Sequence, residues 1–270
     1  MAKYAWATDI HLDFLNDDQT KLLAFAEGLK VQNPDGIFLT GDLSVAKKLI
    51  YHLSVIEKVV QRPIYFILGN HDYYGADTEQ VRKAMRELTN ASGFLRYLPT
   101  MEYYTLTPST AVVGHDGWYD GLYGDAQNST FGMLDWTSIG NFVQIRGNKA
   151  SILVEARRLA HESVLHVHNG IKKAVRYHKN VVVLTHYPPF QQCHMHNGKP
   201  GEKNATPWFT SKMMGDMLMD ASRAFPNVKF TILCGHTHGK WDGQISGNLE
   251  VHVGGADYYN PQLQGHVEVA

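Results

Sequence analysis

The sequence predicts an α/β protein in which layers of β-sheet are covered by helices. Three observations carry this. Short apolar runs, too brief and too rich in β-branched residues for helices, alternate with longer stretches at helical spacing. Prolines stand at the joins between them. Residues 240–270 then change character, to short β-type runs rich in glycine.

The runs at 4–7, 37–39, 64–68, 111–113, 181–184 and 230–233 read as buried strands. Helical spacing covers about 18–30, 45–60, 77–90, 150–178 and 209–223, punctuated by Pro34, Pro63, Pro99, Pro108, Pro188, Pro189 and Pro226. In the longest of these, Ile152, Ala156, Leu159, Ser163, Val167, Ile171 and Val175 form one mostly apolar stripe. The end of the chain, 240–270, reads as a set of antiparallel strands. Two segments, 114–149 and 186–208, fit no such alternation, and loops of that length in a compact domain are usually functional or else disordered. With no internal repeat and no linker, a single domain over 1–270 is expected.

Composition excludes several classes. The 25 basic and 26 acidic residues nearly cancel, so there is no general attraction to nucleic acid or an anionic membrane. No apolar run approaches the roughly 18 residues of a membrane span. Two cysteines, Cys193 and Cys234, make neither a disulfide framework nor a thiolate zinc cluster. That usage, with an N-terminus lacking a long apolar stretch, predicts a cytoplasmic protein. Histidine is unusually numerous, with 15 copies.

Five apolar runs end alike: in Asp9-Ile-His11, Gly41-Asp42, Gly69-Asn70-His71-Asp72, His186-Tyr-Pro-Pro189 and Gly235-His236-Thr237-His238. In open α/β sheets the ligand crevice lies at the carboxyl ends of the strands, so these side chains converge on one region. Imidazole, carboxylate and amide oxygen without thiolate suit Mn, Fe, Zn or Ni. Seven candidate ligands, Asp9, His11, Asp42, Asn70, His186, His236 and His238, exceed what one tetrahedral ion needs. Two ions about 3.5–4 Å apart use them, and such pairs clamp an in-line displacement at phosphorus.

These blocks resemble, in order, the five signature blocks of the calcineurin-like metallophosphoesterases. The resemblance implies two packed mixed β-sheets flanked by helices, a four-layer αββα sandwich with the metal site at the C-terminal ends of strands. It implies that Asp9, His11, Asp42 and His238 hold one metal. Asp42 would bridge to a second, held also by Asn70, His186 and His236. His71 would contact the phosphate and protonate the leaving group, with Asp72 as its electrostatic partner. The expected reaction is hydrolysis of phosphate mono- or diesters by metal-bound hydroxide. Leu43-Ser44-Val45 after Asp42 departs from the protein phosphatase context, and Val45 stands where purple acid phosphatases place a tyrosine. Leu43-Ser44 and Pro188-Pro189 are instead similar to prokaryotic-type members acting on small esters.

Two other readings stay open from sequence: a non-catalytic interaction module on this fold, which would have lost ligands, and a nuclease. Asp72 either orients His71 or caps a turn. His161-Glu162…His166 imitates a zincin motif, but histidines five apart lie about 140° around a helix and cannot share a metal. Cys193-His194-Met195-His196 offers soft donors on a loop, and His115-Asp116 follows a strand and either faces the site or caps it. Between Arg96 and Arg146 there is no Lys or Arg, while Glu102, Asp116, Asp120, Asp125 and Asp135 are interleaved with Trp118, Tyr119, Tyr123, Phe131 and Trp136. An acidic rim facing a small, aromatic substrate is therefore expected from 114–149, one that repels long polyanions.

Overall fold

The computed structural model describes residues 1–16 and 18–270. In chain order the strands are β1 (Ala2–Ala7), β2 (Gly36–Thr40), β3 (Ile64–Ile67), β4 (Leu95–Tyr97), β5 (Tyr104–Thr107), β6 (Thr110–Gly114), β7 (Asn180–Leu184), β8 (Met195–His196), β9 (Lys199–Pro200), β10 (Lys229–Cys234), β11 (Trp241–Ser246), β12 (Leu249–Val253) and β13 (Leu263–Val269). The helices are α1 (Gln19–Val31), α2 (Ala46–Val60), α3 (Thr78–Ala91), α4 (Asp135–Ser138), α5 (Gly140–Val143), α6 (Lys149–Ala174), α7 (Thr206–Phe209) and α8 (Lys212–Ala224). Asp18 accepts from the amides of Thr20 and Lys21 to start α1, and Asn148 accepts from Ser151 to start α6. Among the described residues, no helix is long and apolar enough to cross a membrane.

Two large mixed sheets carry the fold. One runs β13-β1-β2-β3-β4 and the other β11-β12-β10-β7-β6-β5. Side chains alternate across a strand, and here both faces are buried. On β1, Tyr4 and Trp6 point between the sheets while Ala5 and Ala7 face helices; on β7, Val182 and Leu184 point inward while Val181 and Val183 face helices. This is why the strands read as unbroken apolar runs. Tyr4 stacks on Phe38 at 4.7 Å, and with Val112, Val182 and Leu233 they form the layer joining the two sheets. The stripe on α6 serves two cores: Ile152, Ala156 and Leu159 pack with Trp118 and Phe142, and Val167 and Ile171 pack on the second sheet.

The terminal strands differ from expectation. They do not form one antiparallel set: β12 pairs parallel with β10, β11 antiparallel with β12, and β13 crosses to pair antiparallel with β1 in the other sheet. The edge of each sheet supplies a free ladder that a late strand can satisfy, and sequence pattern does not say which.

The expected acidic rim does not form over the cluster: Asp125 is exposed but lines a separate hollow with Asn128 and Asn204. Asp116, Asp120 and Asp135 are buried, and Glu102 pairs with Lys173 at the surface. Asp120 accepts from the amides of Leu122 and Met213. Asp116 accepts from the Leu68 amide (2.8 Å), the hydroxyls of Tyr73 (2.6 Å) and Tyr97 (2.7 Å), and Arg82 Nε (3.1 Å). Arg82 also reaches Glu162 at 3.0 Å. Burial disfavours charge on Asp116, but Arg82 holds its carboxyl below the usual range. This hub fixes both ends of the loop that follows β3. Removing Arg82 leaves a buried carboxylate without its cation, so Arg82→Leu should destabilise the protein by about 3–5 kcal/mol. Urea unfolding checks this: the midpoint should fall with little change in slope.

Candidate metal centre

The side chains singled out at the strand ends come from both sheets. Asp9 and His11 follow β1, Asp42 follows β2, and Asn70 and His71 follow β3; His186 follows β7, and His236 and His238 follow β10. The Asp9 amide donates to Gly41 O (3.0 Å) and the Gly235 amide to His186 O (3.0 Å), which ties adjacent loops together. Asp9, His11, Asp42, His236 and His238 all have positive φ, between 41° and 71°. Asp and His tolerate this region better than most residues, yet each such backbone costs about 1–3 kcal/mol.

Asp9, His11, Asp42 and His238 each offer a ligand atom, and these atoms lie within 4.8 Å of one another. Asp42, His186 and His236 form a second such group. Asp42 belongs to both: its Oδ2 faces His11 Nε2 at 3.9 Å and its Oδ1 faces His186 Nε2 at 3.4 Å. Asp9 Oδ1 faces His238 Nε2 at 3.5 Å, and both Asp9 oxygens accept from the His236 amide.

Burial opposes charge throughout. It pushes His11 down to about 4 and His236 well below the imidazole range. For His186 burial is outweighed by Asp42 and Asp9, which raise it to about 10. Asp42 is held well below the carboxylate range despite its burial, chiefly by His186 and His71. The carboxylates thus stay ionised and draw positive charge into the site.

The hydrogen-bond pattern fits a bound cation. His186 Nδ1 lies 2.8 Å from Thr40 O, which can only accept, so the ring presents Nε2 towards Asp42. That Nε2 is buried and, beyond the 3.4 Å approach of Asp42 Oδ1, has no hydrogen-bond partner among the described residues. Asn70 Nδ2 donates to Asp135 Oδ1 (2.8 Å) and to the Tyr74 hydroxyl (3.1 Å), leaving Oδ1 buried and unpartnered. Buried polar atoms left this way are costly unless an ion satisfies them. Imidazole, carboxylate and amide donors without thiolate match a borderline divalent metal.

Asp72 does not pair with His71. Its Oδ1 accepts from the amides of Leu43 (2.9 Å) and Ser44 (2.8 Å), and its Oδ2 from the Gly69 amide (2.8 Å). It braces the two loops that carry Asp42 and Asn70. The His71 amide donates to Asp42 Oδ1 (2.9 Å), and its ring lies 4.3 Å from Tyr74 and 4.6 Å from His11. His115 lies away from the site, bonded to Ser163 under α6. Asp135 escapes sequence reasoning, which sees only one more acidic residue in a long loop; its contact with Asn70, 65 positions away, reveals its place.

The cavity of about 460 Å³ over this cluster is lined by Asp42, Asn70, His71, His236 and His238, with Phe131 to Leu134 from the long 114–149 segment. His194 and His196 also line it, while Cys193 is buried and its thiol is pushed up to about 12 by burial. Trp118 and Tyr119 belong to the core instead.

A family model for calcineurin-like phosphoesterases matches residues 2–240. The chain belongs to that family. Members use divalent metals and act on phosphate esters. Among solved structures, this calcineurin-like phosphoesterase is similar to a phosphopantetheinyl hydrolase from Mycobacterium tuberculosis, at 13% identity and TM-score 0.69, covering 95% of this chain and 90% of that one. It is also similar to a dimetal phosphatase from Danio rerio, at 12% identity and TM-score 0.59, covering 94% and 87%. These likenesses show the fold. No curated protein matches by sequence.

Gly69 tests how tightly the calcineurin-like phosphoesterase is built around this cluster. A Cβ there would collide with Asp42 Oδ1 and approach His186 Nε2 to 2.6 Å. Gly41, at φ 91°, is hemmed in likewise by His186 Nδ1 at 2.6 Å. Gly69→Ala should displace both side chains and lower bound metal, as read by elemental analysis of purified protein, while far-UV circular dichroism stays native.

Proposed function

We propose that the chain hydrolyses phosphate mono- or diesters of small molecules at a centre of two divalent metals. In this reading Asp9, His11, Asp42 and His238 hold one ion, and Asp42, Asn70, His186 and His236 hold the other. The observation that carries it is the Asp42 carboxylate, whose two oxygens face two separate groups of candidate ligands. Bound there, such ions would neutralise charge on the phosphoryl oxygens and lower the pKa of water.

The chain's own residues do the rest. Thr40 O fixes the His186 ring, and Asp135 with Tyr74 turns the Asn70 amide so that its oxygen is left to ligate a metal. Asp72 holds the loops after β2 and β3 in register. His71 lines the cavity beside Asp42 and delivers a proton to the leaving oxygen. No Lys or Arg lines the cavity among the described residues, which supports a small substrate over a polynucleotide, whose binding relies on many basic contacts.

Asp42→Asn should reduce metal at both positions, whereas His236→Ala should mainly weaken one. Two full metal equivalents in purified Asp42→Asn would overturn the bridging role. A hydrolysis screen of mono- and diesters with Mn²⁺, Ni²⁺, Zn²⁺ and Fe²⁺ in turn tests the activity itself.

His71→Asn separates proton donation from phosphate binding. A nitrophenolate leaves without much help, while an alkoxide depends on the acid. The variant should lose most of a factor of about 10²–10⁴ on alkyl phosphates and much less on nitrophenyl phosphate. Equal fractional losses, with chemistry rate-limiting and metal content unchanged, would assign His71 to phosphate positioning alone.

A further inference from the structure

The cavity over the cluster has one polar end and apolar walls. On the side of His11 and His238, Phe14 and Tyr258 pack at 4.7 Å, with Tyr258 4.7 Å from His11 and 4.9 Å from His238. On the side of His236, Phe209 lies 4.7 Å from that ring and 5.5 Å from Phe131. Met133 and Leu134 extend the apolar surface. None of these six is fully buried, so they are available at the mouth of the cavity.

The charge pattern is as specific as the shape. The candidate metal ligands and His71 are at the polar end; on the walls His194 stacks on Phe209 at 5.2 Å and His196 also lines the cavity, while no Lys or Arg does so among the described residues. Glu202 is the acidic residue on the lining besides Asp42. A second phosphate or a carboxylate on the substrate would find no Lys or Arg there, and Glu202 would repel it. The volume of about 460 Å³ exceeds the need of one phosphate and lies in the ~300–1,000 Å³ range of pockets that enclose an organic molecule.

We propose that these walls form a subsite for an aromatic or bulky alkyl ester group, so that the substrate class is phosphoesters with one anionic phosphorus and an otherwise apolar body. This rests on the phosphoesterase reading above and narrows it. Nucleoside polyphosphates and sugar bisphosphates carry further anions that the subsite cannot accept.

Non-hydrolysable phosphonates test the subsite without the complication of leaving-group chemistry. Methylphosphonate, benzylphosphonate and 4-carboxybenzylphosphonate are titrated calorimetrically into the metal-loaded protein. A single methylene in an apolar pocket is worth about 10–200-fold, so benzylphosphonate should bind at least ~10-fold tighter than methylphosphonate. The added carboxylate should remove most of that gain. Phe131→Ala should shrink the benzyl-to-methyl ratio. Methylphosphonate binding with no gain for benzyl, or a carboxylate analogue that binds as tightly as benzylphosphonate, overturns the subsite alone. Failure of every phosphonate and of inorganic phosphate to bind, with no ester hydrolysed, overturns the subsite and the phosphoesterase reading together.

Discussion

Two buried carboxylates, Asp9 and Asp42, face imidazoles from three loops, and among the described residues the geometry leaves His186 Nε2 and Asn70 Oδ1 without a hydrogen-bond partner. Buried charge and unsatisfied polar atoms are expensive. The surrounding structure is organised to hold that arrangement. Five of the residues sit in left-handed backbone conformations, and glycines at 41 and 69 let main chain pass directly against the carboxylate and imidazole. Strain of this kind persists only where the neighbours over-determine it.

The neighbours that do so are mostly other carboxylates. Asp116 gathers Arg82, two tyrosine hydroxyls and the Leu68 amide just before the Asn70 loop. Asp72 ties that loop to the one carrying Asp42. Asp135 reaches in from the long segment after β6 to set the Asn70 amide. Each converts a backbone or side-chain donor into a fixed direction at the cluster, as outer partners do in metal sites generally. The same long segment contributes Phe131 and Met133 to the cavity wall, so one insertion both steadies a candidate ligand and shapes what can approach it.

The packing explains why such a site can be rigid. Strands buried on both faces, with the Tyr4, Trp6 and Phe38 layer between the sheets, leave the loops at their carboxyl ends little freedom. The parallel strands β1, β2 and β3 of one sheet and β7 and β10 of the other all deliver their loops to the same side.

By itself, the sequence determined the strand–helix order, the doubly buried character of the central strands and the donor chemistry at five strand ends. These are legible because apolar periodicity and residue type are local properties. Tertiary structure decided the rest. Asp72, Asp116, Asp120 and Asp135 look alike in sequence, yet the contacts of Asp72, Asp116 and Asp135 brace the cluster while Asp120 anchors a distant loop. Likewise β13 resembles β11 and β12 but joins the other sheet, pairing Leu263 with Ala7 and Val269 with Ala2 at the far end of the chain. A carboxylate's role and an edge strand's partner are fixed by what lies across the fold, and spacing along the chain carries no record of it.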